Sequence, residues 1–350
     1  MKTVSISASR PYDIVIGSSL LADIGDHVLS LGSVSKICIV SDSNVFPLYG
    51  NDMVRRLSAA GFDCCSYVFA AGEEHKNAET YLGLLNHLAT YRLTRSDMII
   101  ALGGGVVGDL AGFAAATYLR GIRYIQIPTS LLAAVDSSVG GKTAIDLAAG
   151  KNLAGAFWQP SLVLCDTDCL STLPDSVFRD GCGEVIKYAV LFDPELFTHL
   201  QQHGLNFDRD WVIERCVKWK RDVVAQDEFD TGVRMLLNLG HTLGHAVESI
   251  SNYQISHGNA VSIGMATISC ACAKRDICSE ETRDRILSLL QKFGLPCSAG
   301  YSAAELYAAA CSDKKCSGAA INLIVPRAIG TCSIHPIPIG DFQSFIEAGL

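Results

Sequence analysis

The chain has 350 residues, 49% hydrophobic and 18% charged, with a formal net charge of −8. That composition excludes intrinsic disorder and leaves room for two domains or one large one. The acidic balance argues against nucleic-acid partners, and no apolar run is long enough for a bilayer. The opening MKTVSISASRPYDIVIG lacks an apolar core of signal-peptide length, so the expectation is a cytoplasmic protein with no membrane partner. A small anionic substrate remains compatible with the charge, because a cleft can be locally basic. The 14 cysteines include no CxxC pair and read as buried, reduced thiols.

In chain order, KICIVSD from Lys36 is an apolar run that ends polar. Residues 52–60 are helix-like, CSYVFA from Cys65 is strand-like, and 78–93 has helical periodicity. DMIIALGGG from Asp97 reads as a buried strand entering a glycine turn. YIQIPTS from Tyr124 and LVLCD from Leu162 read as two further strands. Strands alternating with helices predict a parallel-type sheet covered by helices. After about residue 170 helical segments dominate: 193–202, 210–227, 233–250, 260–275 and 279–293, with one strand-like run, AINLIVP from Ala320. The expected architecture is an α/β nucleotide-binding domain over 1–170 and a mainly α-helical metal- and substrate-binding domain over 171–350. A cleft between them is the expected site.

Two features of the first half suggest a dinucleotide. Gly103-Gly104-Gly105 follows a strand and leads through Gly108-Asp109 into a helix, where backbone can approach a pyrophosphate. Asp42 ends an earlier strand, where a carboxylate can accept ribose hydroxyls and would repel a 2′-phosphate, favouring NAD over NADP. Taken singly, the glycines are as well explained by a tight turn, and Asp42 by a cap. The loop Gly72-Glu73-Glu74-His75-Lys76 reads as a solvated charged turn.

In the second half, NLGHTLGHAVE places His241 and His245 four apart on one helical face, with Glu248 beyond and His257 further on. Upstream, Glu184 and Lys187 are three apart on another helix. One Glu and two His make a catalytic zinc set with open positions, but spacing does not say which two of the three histidines bind. DSSVGGKT from Asp136 has Asp where a Walker loop needs its first Gly, which excludes a nucleotide triphosphatase. What remains is a glycine-rich loop that offers Lys142, Lys151 and Asn152 to an anion. Lys220, Arg234, Lys314 and Lys315 add basic groups, each of which alone would be ordinary surface charge.

Several long motifs resemble the 3-dehydroquinate synthase family of sugar phosphate cyclases. They are the run from Gly103 to Thr143, GKNLAGAFWQP from Gly150, EVIKY from Glu184 and LNLGHTLGHAVE from Leu237. The likeness covers essentially the whole chain. It implies NAD contacts from Asp42, Glu73, Lys76, Gly104, Gly105, Val106, Asp109, Thr129, Ser130, Lys151 and Thr172. It implies a metal, Zn2+ or Co2+, on Glu184, His241 and His257, with His245 turned to substrate. A substrate pocket of Asp136, Lys142, Asn152, Lys187, Lys220, Arg234, Asn238, His245 and Lys314 is implied too. Arg120 resembles an arginine that reaches a neighbouring subunit, which implies a homodimer. The implied substrate is a small anionic sugar-acid phosphate, 3-deoxy-D-arabino-heptulosonate 7-phosphate. Ala144-Ile145-Asp146 departs from the Gly-Val-Asn of many relatives, and Gly181-Cys182-Gly183 precedes Glu184. The competing expectations are a sister cyclase such as 2-deoxy-scyllo-inosose synthase, a metal-dependent alcohol or glycerol dehydrogenase, and a noncatalytic NAD-binding regulator.

Overall fold

The computed structural model describes residues 1–312 and 319–350, so Lys314 and Lys315 lie outside the described residues. The chain divides into two compact units, Met1–Leu173 with Arg209–Phe229, and Pro174–Asp208 with Asp230–Leu350. The helix Arg209–Gln226 therefore belongs to the first unit, not to the second as the expected boundary at residue 170 implies. Its periodicity shows an amphipathic helix but not which core receives it. Glu214 of that helix pairs with Lys2 at 2.6 Å, and Lys220 donates to the carbonyl of Asp136 at 2.7 Å.

The strands of the first unit are β1 (Lys2–Ile6), β2 (Tyr12–Gly17), β3 (Lys36–Asp42), β4 (Asp63–Phe69), β5 (Met98–Gly103), β6 (Arg123–Pro128), β7 (Lys142–Leu147), β8 (Gly150–Phe157) and β9 (Leu162–Asp166). Seven of them form one sheet in the order β1-β2-β9-β6-β5-β3-β4, parallel except for the β1–β2 edge pair. Alternation sorts their side chains onto two buried faces. Ile37, Ile39, Ile100 and Leu102 meet Ile24, Val28, Met53 and Leu57 of the helices Ile24–Ser30 and Asn51–Ala59. On the other face Cys38, Val40, Ile99 and Ala101 meet Leu84, Leu88, Val107 and Leu110 of the helices Ala78–Thr90 and Gly105–Thr117.

From β3 the chain moves outward to β4 and then returns to place β5 on the other side of β3. Such a reversal opens a crevice at the carboxyl ends of the two strands, where open α/β sheets bind ligands. Asp42 and Gly103 end those strands. β7 and β8 form a separate antiparallel hairpin, a feature the sequence reading treated as glycine-rich loop.

The second unit is mainly helical, with the helices Asp175–Phe192, Pro194–His203, His241–Ile250, His257–Lys274, Glu280–Lys292, Ala303–Ser312 and Ile339–Gly349. The single strand expected near the end is a pair: β10 (Ala320–Ala328) runs antiparallel to β11 (Thr331–Pro338). The pair closes a core of Leu243, Val247, Ile268, Phe342 and Phe345. The single helix expected over 233–250 is broken. A 3-10 turn, Val233–Asn238, ends before Gly240, whose φ of 78° is left-handed. A Cβ there would stand 2.5 Å from the carbonyl oxygen of Val261, so only glycine fits this crossing. Among the described residues, no helix is long and apolar enough to cross a membrane.

Candidate functional site

Glu184 lies in the middle of the helix Asp175–Phe192 and is fully buried. A carboxylate there needs partners, since burying a lone charge costs several kcal/mol. Its Oε2 pairs with Lys187 one turn on, itself 1% exposed. Its Oε1 faces His241 Nε2 at 3.3 Å and His257 Nε2 at 3.2 Å. Close helix approach makes this reach possible: a Cβ on Gly183 would meet the Gly258 carbonyl oxygen at 2.6 Å. The helix His257–Lys274 is pinned at its start by Asp180, which accepts from Ser256 Oγ at 2.6 Å and Asn259 N at 2.9 Å.

The outer nitrogens of both rings are also engaged. His241 Nδ1 faces the Leu239 carbonyl at 3.1 Å, and His257 Nδ1 faces Glu248 Oε2 at 3.4 Å. Donation outward from Nδ1 leaves both Nε2 lone pairs aimed at one carboxylate oxygen, the arrangement that orients metal-ligating histidines. One oxygen and two imidazole nitrogens within 4.8 Å of one another suit a zinc-class divalent cation. Burial works against the Glu184 charge, but Lys187 and His241 hold its carboxyl well below the usual range. Burial pulls His241 down. It also opposes a charge on His257, but Glu184 and Glu248 outweigh it and push that ring up to about 10. A proton and a cation thus compete for the same Nε2.

His245 stands beside this trio, its ring centroid 5.6 Å from His241 and 6.1 Å from His257. With Glu248 and His257 it makes a second group of donor atoms within 4.8 Å. Arg234 is buried on the Val233–Asn238 turn, and Asn238 donates to the Met235 carbonyl at 3.1 Å.

In the first unit, the helix Gly105–Thr117 starts at Gly104 with no side chain capping it, so its first amides face the carboxyl edge of the sheet. Thr129 N donates to Gly103 O at 3.0 Å, and a Cβ on Gly104 would lie 3.4 Å from Ser130 Oγ. Val106 is half-buried in the first turn of the same helix. Asp42 Oδ1 accepts from Asn44 N at 2.8 Å and Val45 N at 2.9 Å, a local turn bond. Thr172 Oγ1 is 2.6 Å from Tyr49 Oη.

The charged loop at Glu73 proves to be the rim of a buried network, which sequence spacing could not reveal because its members are far apart in the chain. Lys76, 4% exposed, meets Glu73 Oε1 at 2.8 Å, Asn152 Oδ1 at 2.8 Å, Asp109 Oδ2 at 3.4 Å and Asp146 Oδ1 at 3.7 Å. Lys151 reaches Glu73 at 3.5 Å. Burial pushes the Asp109 carboxyl up to about 6 against the pull of Lys76. Burial likewise acts against the Lys76 charge, but Asp109 and Glu73 hold its ammonium above the ordinary value.

Gly-Gly-Lys-Thr leads into β7 and not into a helix, so it offers no helix N-terminus to a phosphate. Lys142 is exposed at the start of that strand, and Asn152 is held at a φ of 55° by Asp146, which accepts its N–H at 2.8 Å. Lys220 Nζ is 3.1 Å from Asp136 Oδ1. Arg120 is exposed, with a φ of 66°.

This fold is shared with cyclases and dehydrogenases alike. A 2-deoxy-scyllo-inosose synthase solved with carbaglucose-6-phosphate, NAD+ and Co2+ superposes with a TM-score of 0.91 at 24% identity over all of both chains. A 2-epi-5-epi-valiolone synthase from Streptomyces hygroscopicus, solved with NAD+ and Zn2+, gives 0.89 at 28% identity over 99% of this chain and 97% of its own. An iron-containing alcohol dehydrogenase gives 0.70 at 14% identity over 99% of each.

Family models described as 3-dehydroquinate synthase N-terminal and C-terminal match residues 66–180 and 181–316. A 3-dehydroquinate synthase of Clostridium acetobutylicum is 43% identical over 99% of both chains, and one of Enterococcus faecalis is 42% identical over the same shares. The chain belongs to the 3-dehydroquinate synthase family, lyase-class sugar phosphate cyclases.

Proposed function

We propose that the chain converts 3-deoxy-D-arabino-heptulosonate 7-phosphate to 3-dehydroquinate and phosphate, using NAD catalytically and a divalent metal on Glu184, His241 and His257. The observation that carries the metal assignment is the convergence of two outward-tethered imidazoles on one buried carboxylate oxygen. When bound, NAD would accept and return a hydride, and the cation would acidify the hydroxyl being oxidised.

The chain's own groups have separable tasks. The amides of Gly105 and Val106 and the hydroxyls of Thr129 and Ser130 line the sheet edge suited to a pyrophosphate, and Asp42 is placed for a ribose. Lys76, tied to Asp109 and Asn152, fixes the loop beside them. Lys142 and Asn152 present an ammonium and an amide to the leaving phosphate. Fixed charges of this kind raise turnover by favouring the transition state. In the second unit Lys187, Arg234, Asn238 and His245 supply cations and hydrogen-bond groups suited to a carboxylate and several hydroxyls; in the first unit Lys220, held by Asp136, offers a further ammonium. Arg120, exposed on a left-handed turn, suits an anion contact to a second copy in a homodimer.

A sister cyclase is the second reading. Identity of 42–43% with 3-dehydroquinate synthases, against 28% with the valiolone synthase, favours the first. The test supplies the heptulosonate phosphate with substoichiometric NAD and follows phosphate, product and NADH absorbance together. Product should exceed NAD many-fold without NADH accumulating. NADH growing in step with product would make the chain a dehydrogenase.

A further inference from the structure

Cys38 on β3 and Cys65 on β4 are direct partners across the parallel ladder. Both side chains therefore stand on the same face of the sheet, while Cys64 belongs with the core of the opposite face. The helix Ala78–Thr90 covers that face and carries His87. The two sulfurs and one ring nitrogen of His87 lie within 4.8 Å of one another. Neither thiol is in a disulfide. His87 Nε2 is buried with no hydrogen-bond partner, a costly condition for a polar atom unless something binds there. The Tyr67 ring lies tilted by 50° with its centroid 5.5 Å from that of His87 and supplies no bond to that nitrogen.

We propose that Cys38, Cys65 and His87 form a second metal site, for a thiophilic d10 cation of the Zn2+ class. Two thiolates and an imidazole are three of the four ligands that such an ion takes. Tetrahedral bonds of about 2.3 Å set the sulfurs roughly 3.8 Å apart, within reach of small side-chain rotations here. The fourth position falls to solvent, because Cys65 and His87 are only partly buried. Binding releases the two thiol protons to solvent and changes no oxidation state. Cys38 beside it lowers the Cys65 thiol, whereas the contact with Cys65 and burial push Cys38 well up, so Cys65 would bind first as thiolate and Cys38 would give up its proton only to the arriving ion. β4 is the last strand of the sheet, so an ion here would clip an edge strand to its neighbour and to the covering helix. The candidate ligands Glu184, His241 and His257 include no sulfur, so the two sites are distinguishable spectroscopically.

The test uses full-length protein, stripped of metal and kept reduced, titrated with Cd2+. Sulfur-to-cadmium charge transfer in the ultraviolet reports thiolate ligation alone. The band should appear with saturation in the native protein and equally in Glu184→Gln. It should vanish in Cys65→Ser, whose partly exposed position tolerates the change, and weaken in affinity and intensity in His87→Gln, with circular dichroism confirming that both variants fold. A band that survives Cys65→Ser unchanged, the absence of any band in the native protein, or indifference to His87→Gln would overturn the site. So would peptide mapping that finds Cys38 joined to Cys65 by a disulfide in protein isolated without reductant, which would make the pair a redox element.

Discussion

Replacing Lys76 by Met tests whether the network around it is structural as well as cofactor-facing. The ammonium is 4% exposed and stands within 3.7 Å of carboxylate oxygens from Glu73, Asp109 and Asp146. Met keeps the stem's volume but leaves three carboxylates facing one another. Removing one partner of a buried ion pair costs about 3–5 kcal/mol. For a unit of this size that lowers the melting point by about 6–20 °C. The three tryptophans, Trp158, Trp211 and Trp219, all lie in the first unit, so their fluorescence in urea or on heating follows that unit.

The pH dependence fixes the cause. Asp109 is raised from 3.8 to about 6, chiefly by burial. A carboxyl raised by folding contributes stability that is complete below its unfolded value and lost as pH rises through the folded one. Without Lys76 that value moves higher still, and Glu73 loses one of the two lysines, Lys76 and Lys151, that hold its own carboxyl down. The Lys76→Met penalty should therefore be largest near pH 8 and shrink near pH 5, where the crowded carboxyls take up protons. A variant within about 1 kcal/mol of native at the higher pH, where the buried-pair cost should be complete, would refute the reasoning. A penalty that grows as the pH falls would do the same.

Two predictions concern the candidate catalytic groups. Glu184→Ala and His257→Ala should lose bound metal, measured by mass spectrometry of the exchanged protein, while His245→Ala keeps it. The reverse outcome for the two histidines would seat His245, not His257, with Glu184 and His241; loss of metal in both histidine variants but not in Glu184→Ala would give the site to the His245, Glu248 and His257 group. Lys142→Met should lower turnover by roughly one to two decades, the cost of one charge-assisted bond, and weaken a non-eliminating phosphonate analogue while leaving NAD affinity unchanged. Near-native turnover with unchanged analogue binding would return Lys142 to ordinary surface charge.

The parallel sheet was legible because KICIVSD and MIIALG are short, apolar and bounded by turns, and strands buried on both faces leave that signal. The hairpin β7–β8 was not, because KTAIDL breaks its apolar residues with polar ones and the mostly half-exposed GKNLAGAF is interrupted by glycine. The break at Gly240 was hidden too: helical periodicity continues through it, and only the close approach of the Val261 carbonyl demands a left-handed glycine.

By itself the sequence determined the family, the α/β-then-helical order and the four-residue spacing that puts His241 and His245 on one face, because these are properties of local pattern and long motifs. Only the tertiary structure decided what meets across the chain. It assigned the helix Arg209–Gln226 to the first unit, turned the Glu73 loop into a network with Asp109 and Asn152, and brought His257 opposite Glu184. It also set Cys38 beside Cys65. The physical reason is that strand register and helix crossings fix these distances, and neither is written in the spacing of any one segment.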